Sequence, residues 1–78
     1  MKWLRRRRAR LESAARIAVI MTLSREWKDD VDVRRESYLS LGRCSEALEQ
    51  LFRANQIERK KVATGHYKYR LGQFLLEA

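Results

Sequence analysis

The sequence predicts an α+β fold: three helices followed by a two-stranded β-hairpin. Three observations predict it. Apolar residues recur at helical spacing through residues 10–27 and 44–55. The period then changes from about 3.6 to two: Ile57, Arg59 and Lys61 alternate with Glu58, Lys60 and Val62, and Tyr67, Tyr69 and Leu71 alternate with His66, Lys68 and Arg70. Ala63, Thr64 and Gly65 separate these two runs, and glycine takes the positive φ of a tight turn without a Cβ clash.

The chain has 78 residues, enough for one domain with a small core. It divides into a basic N-terminal arm, residues 1–9, and a folded unit, residues 10–78. Net charge is +8 and unevenly placed. Lys2, Arg5, Arg6, Arg7, Arg8 and Arg10 contribute +6 with no acid among them. Residues 43–70 hold seven basic and three acidic side chains, whereas residues 11–42 are close to neutral. Two separated basic regions suit a polyanionic partner. The single cysteine, Cys44, cannot form an intramolecular disulfide and reads as a packed core residue. The longest uncharged run, residues 17–24, is far shorter than the roughly 20 residues that span a bilayer. The chain is expected to be cytoplasmic, without membrane contact.

The first helix is expected over residues 10–27. Leu11, Ala14, Ala15, Ile17, Ala18, Met21 and Trp27 supply its apolar spacing, and Val19, Ile20 and Leu23 widen it beyond one stripe. Such breadth predicts two buried sides, one on the core and one on a second subunit, so this helix is the candidate homodimer element. The alternative cover is the C-terminal segment, residues 73–78. Residues 28–33 break the helix. Asp29, Asp30 and Asp32 lack the glycine and terminal glutamate of a calcium loop, and a solvated turn and helix cap is expected instead. No metal or cofactor is expected.

A second helix is expected over residues 34–41, with Tyr38 and Leu41 on the core, and Gly42 in the turn that follows. In the third helix, Cys44, Leu48, Leu51, Phe52 and Asn55 share one face. Arg43, Glu46, Gln50 and Arg53 lie opposite, with Glu49 on the flank. The hairpin turns Ile57, Tyr67, Tyr69 and Val62 toward the core and Arg59, Lys60, Lys61, His66, Lys68 and Arg70 outward.

Residues 34–51 followed by residues 55–71 resemble the helix-turn-helix and wing of bacterial MarR-like, ArsR-like and small fimbrial-regulator winged-helix families. Gly42 at the turn, Leu48 and Leu51 on the second helix of the pair, and the run NQIERKKVATGHYKYRL carry the resemblance. It implies a winged helix-turn-helix fold, a short strand at residues 31–33 paired with the wing, and a Ser or Thr such as Ser45 at the start of the recognition helix. It also implies double-stranded DNA as the partner. Arg43, Ser45, Glu46, Gln50 and Arg53 would face the major groove, and Lys60, Lys61, His66 and Lys68 the phosphates beside it. Arg5, Arg6, Arg7 and Arg8 read as an arm lying along phosphates or in a minor groove.

No nucleophile elbow, phosphate-binding glycine loop, HExxH or paired-cysteine site occurs, and the one histidine sits in the hairpin. An enzyme is therefore not expected. The expected function is a small sequence-specific DNA-binding transcriptional regulator. The competing expectation is a protein-binding module, such as a phage-encoded inhibitor or nucleoprotein-complex adaptor, using the mixed charges of Arg43, Glu46, Glu49 and Arg53 on the third helix.

Overall fold

The computed structural model describes residues 2–63 and 65–77, with side chains from Arg10 onward. The chain runs α1 (Lys2–Thr22), β1 (Lys28–Asp29), α2 (Asp30–Ser37), α3 (Leu41–Arg53), β2 (Ile57–Lys61), β3 (Tyr67–Leu71) and α4 (Gln73–Glu77). The fold is α+β. The three strands form an antiparallel sheet in the order β1-β3-β2. The hairpin register pairs Ile57 with Leu71 and Lys61 with Tyr67, while Lys28 pairs with Tyr69 across β1 and β3.

Period-two alternation places the apolar residues of the hairpin except Val62, which is half-buried and outside the core cluster. Ile57 and Tyr69 are buried, Tyr67 and Leu71 pack on the core, and Gly65 takes φ +88° in the turn. The core lies where α1, α2, α3 and the sheet meet: Ala15, Val19, Leu23, Val33, Cys44, Ala47, Leu48, Leu51, Ile57 and Tyr69 are buried together. Burial pushes the Cys44 thiol above its ordinary pKa.

Several boundaries differ from the sequence expectation. Helix α1 begins at Lys2 and ends at Thr22 rather than spanning 10–27. Arginine and alanine favour helix at its start. Beyond its end the Ser24 carbonyl accepts from the Leu71 N–H at 2.9 Å, tying the connection to β3. The strand beside the hairpin is Lys28–Asp29, not residues 31–33; Val31 and Val33 belong to α2. That helix starts earlier than expected, with Asp30 and Asp32 in its first turn, where the helix dipole favours anions.

Tyr38 does not face the core. It ends α2 in the left-handed region, φ 59°, and is 94% exposed. Leu41 is 65% exposed as well. The turn between the helices is therefore Tyr38, Leu39 and Ser40, and Gly42 lies inside the first turn of α3. Ser40 rather than Ser45 caps α3, its hydroxyl accepting from the Arg43 N–H at 3.3 Å. Asn55 is exposed beyond the helix, in the left-handed conformation that asparagine tolerates.

Part of the breadth of α1 is taken up by the core. Val19 and Leu23 are core residues, Val19 with no exposure. Among the described residues of α1, the exposed large apolar side chains are Leu11, Ile17 and Met21, and α4 leaves them open. Among the described residues no helix is long and apolar enough to cross a membrane.

Candidate nucleic-acid interface

Helix α3 owes its position to one apolar face. Cys44, Ala47, Leu48 and Leu51 are buried against α1, α2 and the sheet. Helical geometry then directs Gly42, Glu46, Glu49 and Arg53 away from the core, with Arg43 and Gln50 turned toward α1 and Ser45 toward α2. Arg43, Ser45, Glu46 and Arg53 are exposed.

Gln50 is not a free side chain. Its Oε1 accepts from Arg16 Nη1 on α1 at 2.7 Å, and Arg16 Nη2 also donates to Ser13 Oγ at 3.1 Å. Beside this tie, Leu11, Glu12, Ala15, Arg43, Glu46, Ala47 and Gln50 line an open hollow of about 130 Å³. A bidentate contact to adenine needs both the oxygen and the amide nitrogen of glutamine. Gln50 would have to release Arg16 to make one.

The acidic charge on α3 is partly met from within the fold. Glu49 Oε2 accepts from Arg59 Nη1 at 2.8 Å, and Glu49 Oε1 from Arg53 Nε at 3.1 Å. The hydrogen bond from Arg59 is the main reason its carboxyl lies below its ordinary pKa. Arg59 does not point outward as the sequence suggests. Its guanidinium lies 3.8 Å from the centre of the Phe52 ring and 4.6 Å from that of Tyr67. Among the described residues, Glu46 is then the acid on this face without such a partner.

The hairpin cations are also distributed among partners. Lys60 and Arg70 lie over the Trp27 ring at 4.6 and 4.3 Å, and Arg70 Nε donates to Glu58 Oε2 at 2.9 Å. His66 Nε2 is 3.3 Å from Asp29 Oδ1, and Lys68 Nζ is 4.0 Å from the same oxygen. Lys60 and Lys61 are exposed, and among the described residues Lys61 has no carboxylate partner. Partly exposed pairs of this kind are worth about 0–1 kcal/mol each, so a phosphate can displace them at little cost.

The structure brings Arg43, Ser45, Glu46 and Arg53 onto one exposed helix surface. It sets Gln50 at that surface's inner edge. Arg5, Arg6, Arg7 and Arg8 lie on α1, and their side chains fall outside the described residues. Sequence reasoning missed Arg34, which is exposed on α2 and borders the hollow that also contains Ser45. It also missed Trp27 as the platform for Lys60 and Arg70, and Arg16 as the tie to Gln50. The inward direction of Arg59 was readable, since it shares a period-two face with Ile57. Nothing local to Trp27 or Arg16 marks their partners, which lie 33 to 43 residues away for Trp27 and 34 residues away for Arg16.

No protein-family model, no curated protein and no solved structure matches this chain.

Proposed function

We propose that this chain is a small winged helix-turn-helix regulator that binds double-stranded DNA sequence-specifically, with α3 in the major groove and the β2–β3 hairpin as the wing. The observation that carries the reading is topological. The two-residue strand before α2 joins the hairpin at β3, giving the order β1-β3-β2, with the α2–α3 pair between β1 and β2 in the chain. That arrangement supports α3 as a helix packed on one side and open on the other, able to enter a groove about 12 Å wide.

The charges agree with this use. Glu49 is compensated by Arg53 and Arg59, so the acidic objection to a groove helix reduces to Glu46. A lone glutamate can accept from cytosine N4, and arginine suits guanine. Arg43 and Arg53 are the proposed base-reading residues. Arg34, Lys60, Lys61, His66, Lys68 and the N-terminal arginines would meet phosphates, which position the protein without reading sequence.

Selection of bound duplexes from a random-sequence pool, followed by mobility shifts over a salt series, tests the reading. A preferred sequence should emerge. Arg53→Ala and Arg43→Ala should each lower affinity for it by about 1–3 kcal/mol, with a smaller loss on unselected duplex. Gln50→Ala should change specificity little, because its oxygen already serves Arg16. If no sequence is enriched and neither arginine matters, a protein partner for the mixed-charge α3 surface becomes the better reading. Glu46→Arg would then weaken that complex.

A further inference from the structure

We infer that Arg16 of α1 sets what Gln50 of α3 can read, holding its side chain in the orientation that cannot select adenine. The inference rests on the DNA reading proposed above and deepens it. Glu46, Gln50 and Arg53 stand at i, i+4 and i+7 on α3, so they share one side of the helix. Glu46 and Arg53 are exposed, and Gln50 between them is half-buried. Glutamine in such a row is the side chain that selects adenine, through its oxygen and its amide nitrogen together.

The tie to α1 prevents this. Arg16 Nη1 donates to Gln50 Oε1 at 2.7 Å. A guanidinium only donates, so the amide atom that faces it is the oxygen, and the orientation of the amide follows from the partner's chemistry. The nitrogen then points away from Arg16 and is the amide atom left for a ligand. It carries two N–H donors and no acceptor. Guanine, adenine and thymine all offer acceptors in the major groove. Donors alone therefore discriminate little among bases, whereas the exocyclic amine of adenine needs the oxygen that Arg16 holds.

Arg16 is itself braced. Its Nη2 donates to Ser13 Oγ at 3.1 Å, one turn earlier on α1. Ala15 and Val19, on either side of Arg16 in the sequence, are core residues, so α1 presents the guanidinium from an anchored backbone. Arg16 acts through Gln50 and is a positioning residue, with no DNA contact of its own.

The full chain as wild type, Arg16→Met, Gln50→Ala and the double variant tests this in two measurements. The first needs no DNA. Urea unfolding of the four proteins should give a non-additive double-mutant cycle, its unfolding constant differing from the additive value by about threefold or more. The second is selection from a random duplex pool. At one position that the wild type leaves open, Arg16→Met should enrich adenine by about tenfold, and the double variant should lose that preference. A loss of packing alone would not create a new base preference. Ser13→Ala removes the brace and leaves Arg16 in place. It should move adenine enrichment the same way by a smaller factor, and it carries the test should circular dichroism show Arg16→Met unfolded. An additive cycle would overturn the inference whatever the chain binds. So would a non-additive cycle with the same preferred duplex for wild type, Arg16→Met and Ser13→Ala. A non-additive cycle with no duplex enriched by any of the proteins would overturn it too, and would place the fault in the DNA reading rather than in the tie.

Discussion

At the scale of single residues, Glu49 carries the most consequence. Its carboxylate joins α3 to β2 through Arg59 and to the next helical turn through Arg53. Because the folded state lowers its pKa, its contribution is present above the ordinary glutamate value of about 4.3 and is lost as pH falls through the lower folded value. Acid titration of stability should therefore show a loss that begins below pH ~4.3, and Glu49→Gln should flatten that limb while leaving its neutral-pH slope alone. Urea midpoints measured from pH 3 to 7 check this, and an identical acid limb in the variant would remove Glu49 from the account. Helical periodicity reveals that Glu49 lies at the surface. It does not reveal Arg59, which arrives from a strand ten residues later.

At the scale of elements, the α2–α3 turn shows local preference yielding to connection. Tyr38 occupies left-handed backbone, which costs a non-glycine residue about 1–2 kcal/mol. Its side chain recovers little, being almost fully exposed. The position suits glycine, the usual residue after a helix that ends this way. Glycine's own entropic cost is about 0.5–1 kcal/mol. Tyr38→Gly should therefore stabilise the fold by about 0.5–1 kcal/mol and raise the thermal midpoint by a few degrees. A lower midpoint in calorimetry would mean that Tyr38 holds the turn through contacts its exposure conceals. Gly42, the residue the sequence offers for this turn, meets open space at its Cβ position and has no such constraint.

At the scale of the whole molecule, charge and core are segregated. Apolar burial gathers in α1 from Ala15 onward, the middle of α3 and the sheet, while six cations occupy the first ten residues. If the arm lies on phosphates, binding should weaken with salt at a log–log slope of about 0.9 per neutralised phosphate. Deleting residues 1–9 removes Lys2 and Arg5, Arg6, Arg7 and Arg8, and should flatten the slope by as much as about 4.5. The preferred duplex should stay the same, since phosphate contacts carry no sequence information. Mobility shifts over a salt series measure both quantities. Loss of sequence preference with an unchanged slope would make the arm a base reader.

The sequence by itself determined the α+β class, the hairpin with its Gly65 turn, the core face of α3 and the concentration of positive charge. These follow from periodicity, from backbone freedom at one residue and from composition, all of which act within a few residues. Only the tertiary structure decided where α2 begins, that Lys28–Asp29 rather than residues 31–33 joins β3, and which side of α1 stays open. It alone decided which candidate side chains are free. Gln50 is held by Arg16, Glu49 by Arg59, and His66 lies against Asp29. The reason is distance along the chain: the pairings Lys28↔Tyr69 and Ser24 to Leu71 join residues more than forty apart. A local pattern records that a residue is polar or apolar, but the partner that uses it is chosen when the elements pack.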